Sequence, residues 1–97
     1  MANSTAGKVW VLDTAATIWT GPVYISRMDW HPNAADNDLV VNDSLAHPIW
    51  GPVRAISTAA NHETSGVETW ENPAPNHPID GFVLATIDAG TLYVTTM

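Results

Sequence analysis

The chain has 97 residues, no cysteine, 3 Lys plus Arg against 10 Asp plus Glu, and a formal net charge of -7. That length holds one small domain whose stability margin is thin. The lack of thiols excludes disulfides, thiolate zinc sites and Cys nucleophiles, and Lys8, Arg27 and Arg54 are too few for the basic footprint that nucleic acid or an anionic membrane demands.

The N-terminal stretch MANSTAGKVW has neither a basic start nor an apolar segment, so no secretory leader is expected there. Residues 1–7 read as a polar N-terminal arm, and 8–97 as a single β domain. No apolar run approaches the roughly 18 residues of a membrane span.

Strand signals then follow one another. KVWVL (8–12) is short and apolar, and ATIWT (16–20) is β-branched and aromatic. PVYISRMDW (22–30) alternates, which predicts Val23, Ile25, Arg27 and Asp29 on one face and Tyr24, Ser26, Met28 and Trp30 on the other. HPNAADND (31–38) is a polar loop, DLVVND (38–43) a short strand and NDSLAH (42–47) a turn. PIWGPVRAI (48–56) is an interrupted strand; its end, RAISTAA (54–60), has the only weak helical propensity in the chain. STAANHETSG (57–66) reads as a small polar loop, and VETWE (67–71) as a strand with Glu68 and Glu71 on opposite faces. NPAPNHP (72–78) is expected to be extended because of its prolines. GFVLATID (81–88) and TLYVTT (91–96) flank Ala89 and Gly90 and predict a hairpin, with Gly90 at positive φ. The expected fold class is all-β: a single small antiparallel β-sandwich or barrel-like domain of 7–8 short strands.

One pattern occurs twice: IWTGPV at 18–23 and IWGPV at 49–53. Proline removes a ladder donor, so Pro22 and Pro52 belong at a strand start, an edge or a bulge, and the glycine beside each permits a bend. The extra Thr20 argues against strict internal duplication. Independent bends at sheet corners are the simpler reading.

The search for chemistry is mostly negative. His31, His47 and His77 each precede proline and His62 lies in a polar stretch, so the four histidines read as loop residues rather than a ligand set. Asp36, Asp38 and Asp43 cluster in sequence, but the glycine turn and closing Glu of a calcium loop are missing. There is no GxSxG, Walker loop or HExxH. No catalytic, cofactor-binding or metal-binding residue is assigned, and no cofactor is expected. The 5 Trp are more than one small core needs. Trp19, Trp50 and Trp70 are the interface candidates, because buried Trp is a common interface anchor.

GPVYISRMDWHP, DLVVND, the IW strand, ETWENP and GFVLATIDAGTLYVTTM together resemble small virion proteins encoded in the structural gene modules of tailed bacteriophages. Those chains often end in a segment of the form G-L-x-x-x-x-L/I-D-x-G-T-L-Y-V, here 81–94. The resemblance implies a non-enzymatic β protein made in the host cytoplasm and carried on the virion. Its first expectation is a capsid decoration (cement) protein that binds the major capsid protein as a homo-oligomer, with a trimer favoured. Positions at the head–tail junction or in the tail are implied alternatives. From the residues alone, the competing class is a carbohydrate-binding or lectin-like β domain that uses an exposed Trp. The all-β reading predicts a far-UV circular dichroism spectrum with negligible helix; a helix share above about a third, the ordinary globular value, would overturn it.

Overall fold

The computed structural model describes residues 3–32, 38–54, 67–88 and 90–97, apart from the side chains of Pro52 and Arg54. The expected loop at 57–66 lies outside the described residues, as does the helical propensity at 54–60 apart from Arg54, which ends a strand. Among the described residues eight strands are formed: β1 Val9–Leu12, β2 Ala16–Val23, β3 Ile25–His31, β4 Asp38–Asn42, β5 Pro48–Arg54, β6 Glu68–Glu71, β7 Ile79–Ile87 and β8 Thr91–Thr96. They make two four-stranded sheets, ordered β1-β8-β3-β6 and β2-β7-β4-β5. Every pairing is antiparallel.

Each sheet contributes apolar side chains to the same core. Trp10, Leu12, Ile25, Met28, Trp30, Leu92 and Val94 come from the first sheet, and Val23, Leu39, Val41, Phe82 and Leu84 from the second. Alternation explains most of this set: β4 buries Leu39 and Val41, and β8 buries Leu92 and Val94. Fully burying a side chain of this size contributes about 1.5–3 kcal/mol. No polar or charged side chain is buried among the described residues.

The expected hairpin at 81–96 does not form. β7 pairs with β2 and β4, whereas β8 pairs with β1 and β3, so both sides of each strand are committed to other partners. The connection carries the chain from one sheet to the other. Gly90 does have positive φ, at 87°. A Cβ there would run into the His31 carbonyl and come within 2.8 Å of the Pro32 Cα. The glycine is thus required by a close crossing at a corner rather than by a hairpin turn.

The strand break expected near Gly21 lies instead at Tyr24, where the chain leaves β2 for β3 and changes sheet. The predicted faces of 23–29 also change. Ile25 faces Thr96 while Arg27 faces Thr95, so β3 carries one residue more than β8 over that span. This bulge reverses the alternation. Ile25 is therefore buried with Met28 and Trp30, while Arg27 and Asp29 face outward. The expected extended run at 72–78 contains a turn: the His77 N–H donates to the Ala74 carbonyl at 3.0 Å, and the Ala74 N–H donates to Asn72 Oδ1 at 2.9 Å. Pro75 occupies the second turn position, where its fixed φ fits.

The repeated IW-GPV pattern is one backbone solution used at both edges of the second sheet. In β2, Trp19 faces Phe82 and Pro22 faces Asp80; in β5, Trp50 faces Val41 and Val53 faces Leu39. Each edge strand thus fits one extra residue between those pairs, and the glycine inside each bulge has positive φ, 87° at Gly21 and 110° at Gly51. The prolines lie on edge strands, where a missing N–H is tolerated. The two sites differ in crowding. A Cβ at Gly21 would meet nothing within 4 Å, whereas one at Gly51 would lie 2.5 Å from the Leu39 carbonyl oxygen and 3.1 Å from the Val53 nitrogen. Gly21→Ala is expected to cost about 1–2 kcal/mol from backbone strain alone, and Gly51→Ala distinctly more. Urea unfolding of both variants checks this order, and equal losses would contradict it.

Candidate interaction surfaces

The five tryptophans separate by depth. Trp10 and Trp30 are buried core residues. Trp50 and Trp70 are half-buried and pack against the core from the edge strands β5 and β6. Trp19 is 40% exposed. Of the three interface candidates, Trp19 alone presents a large accessible ring, and the structure does not bring the three together into one patch by strand pairing: Trp19 and Trp50 sit on opposite edges of the second sheet, and Trp70 sits on an edge of the first.

Trp19 is held firmly. Its register partner is Phe82, whose side chain is buried. It stacks on Trp10 of the other sheet with ring centroids 5.4 Å apart and planes 24° apart. Trp10 in turn meets Phe82 edge-on, at 5.6 Å and 89°. Such aromatic pairs add about 0.5–1.5 kcal/mol beyond their buried area. Here they tie the β1 edge of one sheet to the β2 edge of the other and leave the partly exposed Trp19 at that seam.

The outer face of the first sheet carries a polar group that sequence reading only half resolved. Positions 27 and 29 were expected on one face, and they are; their partner on β6 was not foreseen. Arg27 Nη2 donates to Asp29 Oδ1 at 2.8 Å and Arg27 Nε donates to Asp29 Oδ2 at 3.1 Å. Thr69, opposite Asp29, donates its hydroxyl to Asp29 Oδ1 at 2.9 Å. The only signal for this lies in register, which places Thr69 beside Asp29 and Glu71 beside Arg27. Partial burial alone would push the Asp29 carboxyl up, but hydrogen bonds from Arg27 and Thr69 and the guanidinium charge hold it below the usual range. The same hydrogen bond, then the Asp29 charge, raises Arg27. Beside this group, His31 meets Tyr93 edge-on at 5.1 Å and 81°.

The acidic stretch does not form a metal site in its described part. Asp36 lies outside the described residues, and the Asp38 N–H bonds to Asp88 Oδ2 at 2.8 Å. Asp43 organises the turn between β4 and β5: its Oδ1 accepts the N–H groups of Leu45 and His47, both at 2.9 Å. His47 Nδ1 lies 3.4 Å from Asp43 Oδ2. Those contacts, led by the His47 N–H, hold the Asp43 carboxyl below its ordinary value. Among the described residues, no three His, Asp or Glu side chains gather as a metal-ligand set. His47 and His77 are exposed, His31 is half-buried, and His62 lies outside the described residues. Glu68 faces Trp30 on the inner side of β6, and Glu71 faces Arg27 on the outer side, opposite faces as expected.

Comparison with protein-family models, curated proteins and solved structures finds no match.

The two lowered carboxyls make stability depend on acid. Their contribution is present above the unfolded carboxyl value, about 3.9, and is lost as pH falls through the lower folded values. Asp29→Asn should therefore reduce stability at pH 7 by up to about 1 kcal/mol, the range of exposed ion pairs. The difference from the parent chain should vanish in strong acid. Thermal melts across pH test this, and a gap that widens on acidification would contradict it.

Proposed function

We propose that the chain is a non-enzymatic structural protein of a bacteriophage particle: a decoration protein that binds the major capsid protein on the head surface as a symmetric homo-oligomer, with a trimer as the first expectation. The domain in this reading is a β-sandwich, its two sheets closed over the shared core. Assembly takes place in the host cytoplasm.

The observation that carries the reading is Trp19, exposed yet braced by buried Trp10. A pre-positioned aromatic ring loses little freedom on docking, and such residues dominate binding energy at protein interfaces. The chain as a whole carries few charges, with 13% charged residues. A domain without disulfides gains stability from a partner that binds only its folded state.

A second reading rests on the same residue. Trp10 stacks on the Trp19 ring, and a partly exposed indole suits the apolar face of a sugar ring. A lectin-like module is therefore the alternative from a different class. A place in the tail or at the head–tail junction is a variant of the first reading.

Co-sedimentation with purified capsids, and separately with tails, distinguishes these. Binding to capsids is expected, with greater thermal resistance of the particle when the protein is present. Trp19→Ala should weaken binding by about 2 kcal/mol, roughly thirtyfold, while circular dichroism stays unchanged. Binding to a glycan array that is lost in Trp19→Ala, without capsid binding, would favour the lectin-like reading and overturn decoration.

A further inference from the structure

We propose that the outer edge of β1 is a strand-accepting site, and that the N-terminal arm of a second copy of this chain occupies it in exchange for the copy's own arm. The inference stands apart from the phage reading, because it concerns only contacts within this chain.

The four sheet edges are not equivalent. β2 and β5 are bulged and carry proline, and β6 has four residues with a glutamate at each end. These features blunt pairing with another strand. β1 differs. Its sequence, VWVL, has no charge, proline or glycine, and its register with β8 runs without a shift.

This edge already accepts a strand residue. The Ser4 N–H donates to the Val11 carbonyl at 2.8 Å, and the Val11 N–H donates to the Ser4 carbonyl at 2.9 Å. Asn3 extends the contact. Its Oδ1 accepts the N–H groups of Asp13 and Thr14 at 2.9 and 3.0 Å, and its Nδ2 donates to the Thr14 carbonyl at 2.9 Å. These five bonds from Asn3 and Ser4 all reach Val11, Asp13 or Thr14. None depends on the arm belonging to the same copy.

The connection between arm and edge offers little resistance to exchange. Residues 4–8 are exposed, and a Cβ on Gly7 would meet nothing within 4 Å. Closing the arm onto its own β1 restricts this short linker, whereas exchange lets it extend. The same bonds form either way, so concentration decides. A short flexible linker gives an effective concentration of about 1 mM. Exchange therefore competes when copies are gathered at or above that level.

The chain has no natural cysteine, which permits a clean test. Ser4 and Val11 exchange both hydrogen bonds, so their Cα atoms are about 5.5 Å apart, within disulfide range. Ser4→Cys and Val11→Cys single variants are mixed at about 1 mM, oxidised and mapped by peptide mass. A 4–11 bond in this mixture can form only between copies. Its predominance over 4–4 and 11–11 bonds is expected; a merely statistical share would overturn the proposal. The unmodified chain and one lacking residues 1–7 are compared by sedimentation at the same concentration. Association that disappears with the arm is expected. A full chain that remains monomeric, or association that survives the deletion, would overturn it, and neither result depends on capsid binding.

Discussion

Among the described residues the buried apolar side chains are divided between two sheets, seven from β1, β3 and β8 and five from β2, β4 and β7. Neither sheet can cover its apolar face alone. The domain therefore depends on both sheets meeting over a single core, and on a chain path that keeps passing between them. Among the described strands taken in succession, only β4 and β5 are paired neighbours; every other step changes sheet. The tight crossings follow from this constraint. Tyr24 separates β2 from β3 by a single residue, and Gly90 leads into β8 with its backbone against His31 and Pro32. Such a topology delays its reward until distant segments meet, a feature of slow-folding β proteins.

A two-sheet arrangement also leaves four edges, and the sequence treats them differently. The Gly-Pro pairs distort β2 and β5, and glutamates flank the short β6. β1 remains regular; Ser4 pairs with its Val11, and Asn3 bonds to Asp13 and Thr14 just beyond it. The net charge of -7 adds a general repulsion between copies, which a specific contact must overcome.

Function in this reading resides on surfaces rather than in a cleft. Trp19 is notable because its exposure is combined with rigidity: Trp10 supports the ring from the opposite sheet. The Arg27–Asp29–Thr69 group on the outer face of the first sheet is different in kind. Its charges satisfy one another, which favours a local structural role and offers a partner little unpaired charge. The proposed reading therefore rests on Trp19 at the aromatic seam, and not on the polar face.

Much of the secondary structure was legible in the residues, because alternation and Gly/Pro punctuation act over a few positions. The short strands near 8–12, 38–43 and 91–96, the turn at Asp43, the positive φ of Gly90 and the edge placement of proline follow from local chemistry. The division of the tryptophans did not. Trp10 and Trp19 both lie in stretches with strand signals, yet one is buried and the other is 40% exposed. Their difference arises where the β1 and β2 edges meet. Likewise, GFVLATID and TLYVTT carry strong strand signals, but local propensity cannot tell a strand which neighbour it will have. The bulge in β3 shows the same limit: one extra residue opposite β8 turns Ile25 inward and leaves Arg27 and Asp29 outside. Sequence by itself determined where the backbone would extend and where it would bend. Tertiary structure decided which strands paired and which faces stayed dry, because hydrogen-bond partners and burial depend on segments far apart in the chain.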